Sequence, residues 1–408
     1  MTQALNPSNV SFPTLRQDAV LIALVSIAHS ISHFSQLVLA PLFPWLKEAF
    51  LVSYTELGLV LSVFFVVSCA VQAGSGFLVD RYGPRPVLFA GLSCLIVALF
   101  LDALAPAYWV LLVAAVLAGM GNGVFHPVDY TLFNRRVAPH RLGHAYSAHG
   151  ISGSLGWALA AAMMVPMAML FSWRWAFVSA AVLAAAVLVL LVVHREVLVL
   201  SPGSGTGSKK SDEMDPGFGF LRIPAVWMCF GFFFFYSVVL SVIQAFAPEA
   251  ARHLHEVPLR WVAACLTIYM VASAGGMVLG GFLASNPDRC ERIVAFGIGI
   301  AAVVALNLAL SPVPGDWVPV MFGLMGFASG IASPSRDLLV KKSTPENATG
   351  RVYGVVYAGL DIGQAVAPVF FGRLMDQGEY TLVLLGLAAV QSMLIVSAFN
   401  VRRVRRTA

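Results

Sequence analysis

The chain has 408 residues and a net charge of +5, with 59% hydrophobic and 11% charged residues. This composition is too apolar for a soluble globular protein, and it has too many polar interruptions for a single membrane anchor. The basic residues cluster in alternate loops, so the positive charge does not indicate a nucleic-acid partner. The five cysteines form no CxxC pair and predict neither a disulfide framework nor a zinc site.

Apolar runs along the chain predict twelve membrane-spanning helices, because crossing roughly 30 Å of hydrocarbon takes about 20 apolar residues. The first six runs cover residues 18–44, 54–79, 86–104, 108–133, 143–170 and 174–195. The second six cover residues 222–250, 258–285, 290–312, 316–341, 349–374 and 379–401. The sequence therefore predicts an all-α polytopic membrane protein.

The two sets of runs predict two domains joined by a flexible linker that is rich in Gly, Ser and Lys. We predict an N-terminal six-helix bundle over residues 18–195 and a C-terminal six-helix bundle over residues 222–401. The linker covers 196–221, and the tails cover 1–17 and 402–408. The basic loops lie on the same side as the linker, so the positive-inside rule places both termini in the cytoplasm.

The two halves resemble each other when the chain is aligned with itself at an offset of a little over 200 residues. The matched pairs, in order, are Gly76 and Gly281, Pro106 and Pro312, Gly123 and Gly330, Pro127 and Pro334, and Gly156 and Gly363. Such an ordered series predicts two parallel, pseudo-symmetric repeats with substrate bound between them near the middle of the membrane.

A charged turn, Gly-Phe-Leu-Val-Asp-Arg-Tyr-Gly-Pro-Arg over residues 76–85, separates the second and third runs. It must lie at a membrane surface, because backbone that leaves a helix cannot satisfy its hydrogen bonds in lipid. We predict a cytoplasmic gate in which Asp80 meets the positive N-terminal end of the eleventh span. The alternative is a loop that only sets topology. The residues assigned to the gate are Gly76, Asp80, Arg81, Gly83, Arg85 and Arg351.

The fourth run carries Asn122, His126 and Asp129 at i, i+4 and i+7, which places all three on one face of a continuous helix. At about 1.5 Å per residue, His126 lies roughly 14 Å from Arg135 and hence near the middle of the membrane. Polar groups at this depth are unfavourable in lipid, so we predict that they line a cavity. The alternative is helix packing with satisfied polar groups.

Prolines predict helix kinks in the fourth and tenth spans. Pro127 lacks an amide donor and frees the carbonyl of Gly123, and Pro334 is its counterpart in the second half. A kinked helix with a free carbonyl requires contact with protein or with a hydrated cavity.

His29 and His33 are i, i+4 neighbours deep in the first span. A two-histidine metal site has no visible third ligand nearby, so no metal site is predicted. We expect these residues to handle protons or to hydrogen-bond substrate; for either one alone, simple helix packing is an equal alternative.

Asp361 lies about 15 Å beyond Arg351, near the middle of the membrane. Because a carboxylate at this depth is costly to ionise, Asp361 is the preferred proton-coupling residue, with a structural hydrogen bond as the alternative. Arg336 either reaches the cytoplasmic edge or forms a salt bridge with Asp129 across the two halves. The other residues assigned to the substrate and proton pathway are His149, Ser241 and Gln244.

The charged turn closely resembles the signature loop between the second and third helices of major facilitator superfamily transporters. More narrowly, Gly-x-Gly-x-x-x-Phe-His-Pro over residues 119–127, followed by Arg-x-Gly-x-Ala-x-Ser over residues 141–147, resembles the fosmidomycin-resistance group of efflux proteins. The resemblance implies the superfamily fold, in which the first, fourth, seventh and tenth spans line the central cavity.

We therefore predict a secondary active transporter that works by alternating access and exports a small organic compound in exchange for protons. The chain has no P-loop and no Ser/His/Asp arrangement, so we predict no enzymatic activity and no cofactor. The expected partners are the substrate, protons and the lipid bilayer, for a monomer in the inner membrane. One alternative is an importer or facilitator of an organic acid or sugar-like metabolite. Another is a receptor or intramembrane enzyme on a transporter-like scaffold.

Overall fold

The computed structural model describes residues 13–200, 224–283, 290–343 and 350–407, and its long elements in these ranges are all helices. The N-terminal half contains α1 (Leu15–Leu37), α2 (Phe43–Phe50), α3 (Tyr54–Tyr82), α4 (Pro84–Leu104), α5 (Tyr108–Asn122), α6 (Phe125–Arg136), α7 (Leu142–Leu170) and α8 (Trp173–Val193). The C-terminal half contains α9 (Pro224–Ala245), α10 (Ala247–His255), α11 (Leu259–Leu283), α12 (Cys290–Leu310), α13 (Val318–Ser343), α14 (Gly350–Asp376) and α15 (Tyr380–Thr407).

The long helices are the expected form of these apolar runs, because a helix pairs its backbone polar groups within its own segment. Eleven helical segments among the described residues are long and apolar enough to cross a membrane, and α14, with 27 residues, lies where the eleventh span is predicted. The prediction of twelve spans in two six-helix bundles is confirmed. Most of the predicted linker lies outside the described residues.

The helix ends differ from the ends of the predicted spans. α1 ends at Leu37, and a 3₁₀ turn and α2 follow, because Pro41 and Pro44 interrupt the first run. The last helix continues to Thr407 through the predicted C-terminal tail.

Glycines permit close helix packing at equivalent places in the two halves. A methyl group on Gly123 would lie 2.6 Å from the carbonyl oxygen of Ser68, and one on Gly330 would meet the carbonyl of Ser273. Gly119 packs in the same way against the carbonyl of Phe64, and its counterpart Gly326 packs against that of Tyr269. Gly156 packs against the carbonyl of Ser30, and its counterpart Gly363 packs against that of Phe234. The repeat in the sequence therefore corresponds to a repeat in helix packing.

The fourth span is interrupted for two residues just before Pro127, where a kink is predicted. α5 ends at Asn122 and α6 begins at Phe125, so Pro127 lies in the first turn of α6, where its missing N–H would have no helical partner anyway. The carbonyl of Gly123 accepts a hydrogen bond from the hydroxyl of Ser75 on α3 at 3.3 Å. In the second half, α13 continues through Pro334 without a break.

The two ends of the bundle differ in charge. We call the end with the turn at Gly83 and with Arg81, Arg85 and Arg135 the basic end, and the end with α2 and α10 the opposite end. Gly83 has φ 82° and connects α3 directly to α4.

The halves meet closely along α3 and α14 toward the opposite end. Gly58 packs against the carbonyl of Pro368, and the hydroxyl of Ser62 donates to the carbonyl of Ala365. Toward the basic end, no described atom lies within 4 Å of the Cβ position of Gly74 or Gly76, and Phe77 is 80% exposed. The described contacts between the two halves therefore lie toward the opposite end.

Candidate functional site

Four histidines from three helices of the N-terminal half meet around one carboxylate, and we call this group the histidine cluster. It comprises His29 and His33 on α1, His126 and Asp129 on α6, and His149 on α7. The ring of His29 stacks on that of His149 with centroids 3.5 Å apart, and its centroid lies 4.4 Å from that of His33 and 5.2 Å from that of His126. The prediction that no third ligand lies near His29 and His33 is therefore wrong.

Asp129 is fully buried at the centre of the histidine cluster. Its Oδ2 atom lies 3.0 Å from Nε2 of His149 and 3.1 Å from Nδ1 of His29. A buried carboxylate requires such polar partners, because removing it from water is strongly unfavourable. The predicted cross-half pair with Arg336 is not formed in this conformation, in which the Arg336 guanidinium lies 4.1 Å from the ring centroid of Tyr236.

Small residues of α7 make room for the cluster. Gly153 faces His33, and a methyl group there would lie 2.8 Å from the imidazole. Gly156, one turn further on, brings α7 against the carbonyl of Ser30 on α1. The indole of Trp157 covers His33, with ring centroids 4.3 Å apart. The approach of α7 to α1 thus places His149 beside His29.

Access to the cluster is one-sided. His29, Asp129 and His149 are buried, whereas His33 and His126 are partly exposed. A molecule that approached the cluster would therefore meet His33 and His126 first.

Asn122 belongs to a separate hydrogen-bond network. The hydroxyl of Ser32 donates to Asn122 Oδ1 at 2.6 Å, Gln36 Nε2 donates to the same oxygen at 3.1 Å, and Asn122 Nδ2 donates to the hydroxyl of Ser68 at 2.8 Å. The amide therefore links α1, α3 and α5. Asn122 faces the same helix, α1, as His126 and Asp129 do.

Asp361 lies at a contact between the two halves. Its Oδ2 atom accepts a hydrogen bond from Nε2 of Gln72 on α3 at 3.4 Å. Gln72 was not identified from the sequence, because no spacing rule connects residues that are distant in the chain and belong to different halves. The contact makes Asp361 sensitive to the relative position of α3 and α14.

A second carboxylate joins the halves at the opposite end. Asp376, near the end of α14, accepts hydrogen bonds from the backbone N–H groups of Tyr54 and Thr55 at 2.6 and 2.8 Å, and from the Thr55 hydroxyl at 2.6 Å. It thereby caps the positive N-terminal end of α3 from the other half. Sequence analysis missed this contact.

The neighbouring carboxylate of Glu249 reinforces this closed end. It accepts hydrogen bonds from the guanidinium of Arg252 at 2.6 to 3.0 Å, which hold the pKa of Arg252 above its ordinary value. The Tyr54 hydroxyl donates to the same carboxylate at 3.3 Å. Glu249 therefore ties α10 of the C-terminal half to α3.

The residues predicted on the seventh span lie away from the histidine cluster. Ser241 is buried, and Gln244 lines an open cleft at the opposite end, together with Glu249 and residues of α2 and α11. The pathway residues of the sequence prediction are thus divided between the cluster, the contact at Asp361 and this cleft.

The predicted gate loop is exposed in this conformation. The side chain of Asp80 is 72% exposed and its carboxylate lies 3.7 Å from Arg135, while Arg81 lies over Tyr82 and Arg85 lies 3.9 Å from Glu196. The side chain of Arg351 lies outside the described residues. The contact between Asp80 and the start of α14 stays a prediction.

The sequence profile of the Major Facilitator Superfamily matches residues 25–368 and 266–406. The chain belongs to the major facilitator superfamily. Its members are transporters and not enzymes, so this protein is a multi-pass membrane transporter of small molecules. The resemblance inferred from the charged turn is confirmed.

The chain is similar to members of the superfamily over nearly its whole length. The chain is 25% identical to the fosmidomycin resistance protein of Escherichia coli K12 over 90% of this chain and 86% of that protein. It is 24% identical to the probable nitrate/nitrite transporter NarK2 of Mycobacterium tuberculosis over 92% of this chain and 94% of that protein.

A solved transporter has a similar fold. A bacterial homologue of the human lysosomal transporter Spinster, in an inward-facing and unoccupied conformation, superposes with a TM-score of 0.77 at 14% identity. The similarity covers 96% of this chain and 98% of that one.

Proposed function

We propose that this transporter works by alternating access, and that this conformation is the one open toward the cytoplasm. The proposal rests on the contact between the halves, which is close at the opposite end and absent among the described atoms around Gly74 and Gly76. The positive-inside rule assigns the basic end to the cytoplasm. The inward-facing conformation of the Spinster homologue supports the same assignment.

The protein acts as a proton-coupled exporter of a small organic compound, and Asp361 is the coupling residue. Asp361 receives its hydrogen bond from Gln72 of the other half, so the strength of this bond changes when the halves move. A group whose environment differs between two conformations binds its proton with different affinity in each, which couples proton binding to the conformational change. Export is supported by the name of the Escherichia coli relative.

The protein lies in the inner membrane with both termini in the cytoplasm, and it acts as a monomer. The alternating basic loops support this orientation.

Import of an anion is the second candidate. It is favoured by the similarity to the probable nitrate/nitrite transporter, which spans nearly the whole of both chains. The two candidates share the same alternating-access mechanism and differ in the direction of net transport.

The test measures how much radiolabelled fosmidomycin energised cells retain. Cells that produce the transporter should retain less label than cells without it, and an uncoupler should abolish this difference. Asp361→Asn, which resembles the protonated carboxyl, should abolish the uncoupler-sensitive part of this difference in retained label. The matched control is Asp316→Asn, an exposed carboxylate in a 3₁₀ turn away from the contact between the halves.

Each part of the proposal has its own contrary result. Equal retention in cells with and without the transporter would contradict fosmidomycin export, and greater retention would establish import. Export that the uncoupler leaves unchanged would exclude proton coupling. Uncoupler-sensitive export that persists in Asp361→Asn would exclude Asp361 as the coupling residue.

A further inference from the structure

We propose that the histidine cluster is a binding site for one divalent transition-metal ion of the Zn²⁺ and Co²⁺ class. His29, His126 and His149 each offer a ring nitrogen, and these three atoms lie within 4.8 Å of one another. They come from three different helices, so the packing of α1, α6 and α7 brings the three nitrogens together around one point.

The carboxylate of Asp129 lies beside these three histidines. Its Oδ2 atom lies 3.0 Å from His149 Nε2 and 3.1 Å from His29 Nδ1. A carboxylate that contacts ligating imidazoles orients their rings and raises their basicity. Imidazole nitrogens suit zinc-like ions, whereas Mg²⁺ and Ca²⁺ prefer oxygen ligands.

Unsatisfied polar atoms in the cluster provide an independent argument. Nδ1 of His29, His33 and His126 and Oδ1 of Asp129 are all buried without a hydrogen-bond partner. Nδ1 of His29 lies close to Asp129 Oδ2, yet the pair lacks hydrogen-bond geometry. Buried polar atoms normally have partners, and a group of unpaired ones requires an explanation such as a bound ion.

The composition of the cluster suits a cation. Asp129 is 0% exposed, and its Oδ2 atom lies within 3.1 Å of the imidazoles of both His29 and His149. An unpaired carboxylate charge is unfavourable in the membrane interior, and a divalent ion would compensate it. Neutral imidazoles supply the lone pairs that such an ion requires.

Co²⁺ added to the purified, chelator-treated full-length transporter tests the site without any transport assay. Four-coordinate or five-coordinate Co²⁺ absorbs visible light much more strongly than hydrated octahedral Co²⁺. We expect a saturable absorption band at one ion per chain, and Zn²⁺ should abolish it by displacing Co²⁺. His29→Ala and His149→Ala should each weaken Co²⁺ binding by about 10-fold to 100-fold or more.

The matched control is His144→Ala, which removes an exposed histidine one and a half turns from His149 on the same helix. It should leave the absorption band and the affinity unchanged. If the alanine variants do not fold, Asp129→Asn takes their place, because it preserves the shape of the side chain. This variant should also weaken Co²⁺ binding.

Several results would overturn the proposal. An octahedral Co²⁺ spectrum, binding of less than one ion per chain, or equal affinities for the native chain and folded His149→Ala would each exclude the site. Because the native protein alone supplies the first two results, the test does not depend on the folding of any variant. It is also separate from the export assay, since it measures binding of the metal alone.

Discussion

Gly83 has a backbone conformation that residues with a side chain rarely adopt. Its φ of 82° and ψ of 161° lie in a region that is essentially restricted to glycine. We expect Gly83→Ala to lower the free energy of unfolding by about 1 to 3 kcal/mol, as measured by the thermal unfolding of the purified transporter. Gly76→Ala is the control, since no described atom lies within 4 Å of its Cβ position and its backbone is helical. Equal melting temperatures for the two variants would contradict this expectation.

Individual residues of the cluster were predictable only where the signal is local. His29 and His33 are four residues apart, so helical periodicity identified them as neighbours. Their contacts with His126 and His149 depend on the packing of three helices, and no spacing in the sequence encodes that packing. The sequence therefore assigns His149 to the pathway without a partner, although its ring stacks on His29.

The existence and approximate positions of the long helices were predictable, because hydropathy is a property of each segment by itself. The twelve apolar runs correspond to the twelve spans, with differences of several residues at their ends. The interruption between α5 and α6 was predictable from Pro127, whereas the partner of the freed carbonyl was not. The Gly123 carbonyl that it frees accepts from Ser75 of α3, a residue distant in the chain.

Helix packing in the N-terminal half should be sensitive to Gly156. A methyl group there would collide with the carbonyl of Ser30, which belongs to helical backbone and cannot move aside as a flexible side chain would. We expect Gly156→Ala to lower the free energy of unfolding by about 1 to 3 kcal/mol, as typical overpacking does. Thermal unfolding measures this effect.

The control for this packing prediction lies on the same helix. Gly150 has no described atom within 4 Å of its Cβ position. Gly150→Ala should therefore be neutral or slightly stabilising, because alanine favours helix by up to about 1 kcal/mol relative to glycine. A Gly156→Ala protein as stable as Gly150→Ala would show that α1 and α7 are not packed this closely.

The whole molecule combines internal symmetry with an asymmetric distribution of function. The equivalent glycine contacts of the two halves are structural, whereas the histidine cluster lies in the N-terminal half and Asp361 in the C-terminal half. The ordered repeat in the sequence predicted the symmetry correctly. It could not predict which end is closed, because that depends on contacts such as the one between Asp376 and Thr55.

Asp376 should control the balance between the two conformations. Its carboxylate accepts three hydrogen bonds from the start of α3, and these bonds must break when the opposite end opens. Asp376→Asn removes the charge and one acceptor oxygen. If this weakens the closed end by about 1.4 kcal/mol, the ratio of closed to open molecules falls about tenfold.

Spin labels at Glu48 on α2 and Gln377 beyond α14, both exposed and at the opposite end, report this change as a distance distribution. We expect Asp376→Asn to increase the population with the longer distance. Glu379→Gln is the control, because Glu379 is exposed and only three residues away along the chain. If both variants have the distribution of the native protein, the three hydrogen bonds do not hold the opposite end closed. If Asp376→Asn alone shifts toward longer distances, its carboxylate helps to hold the opposite end closed.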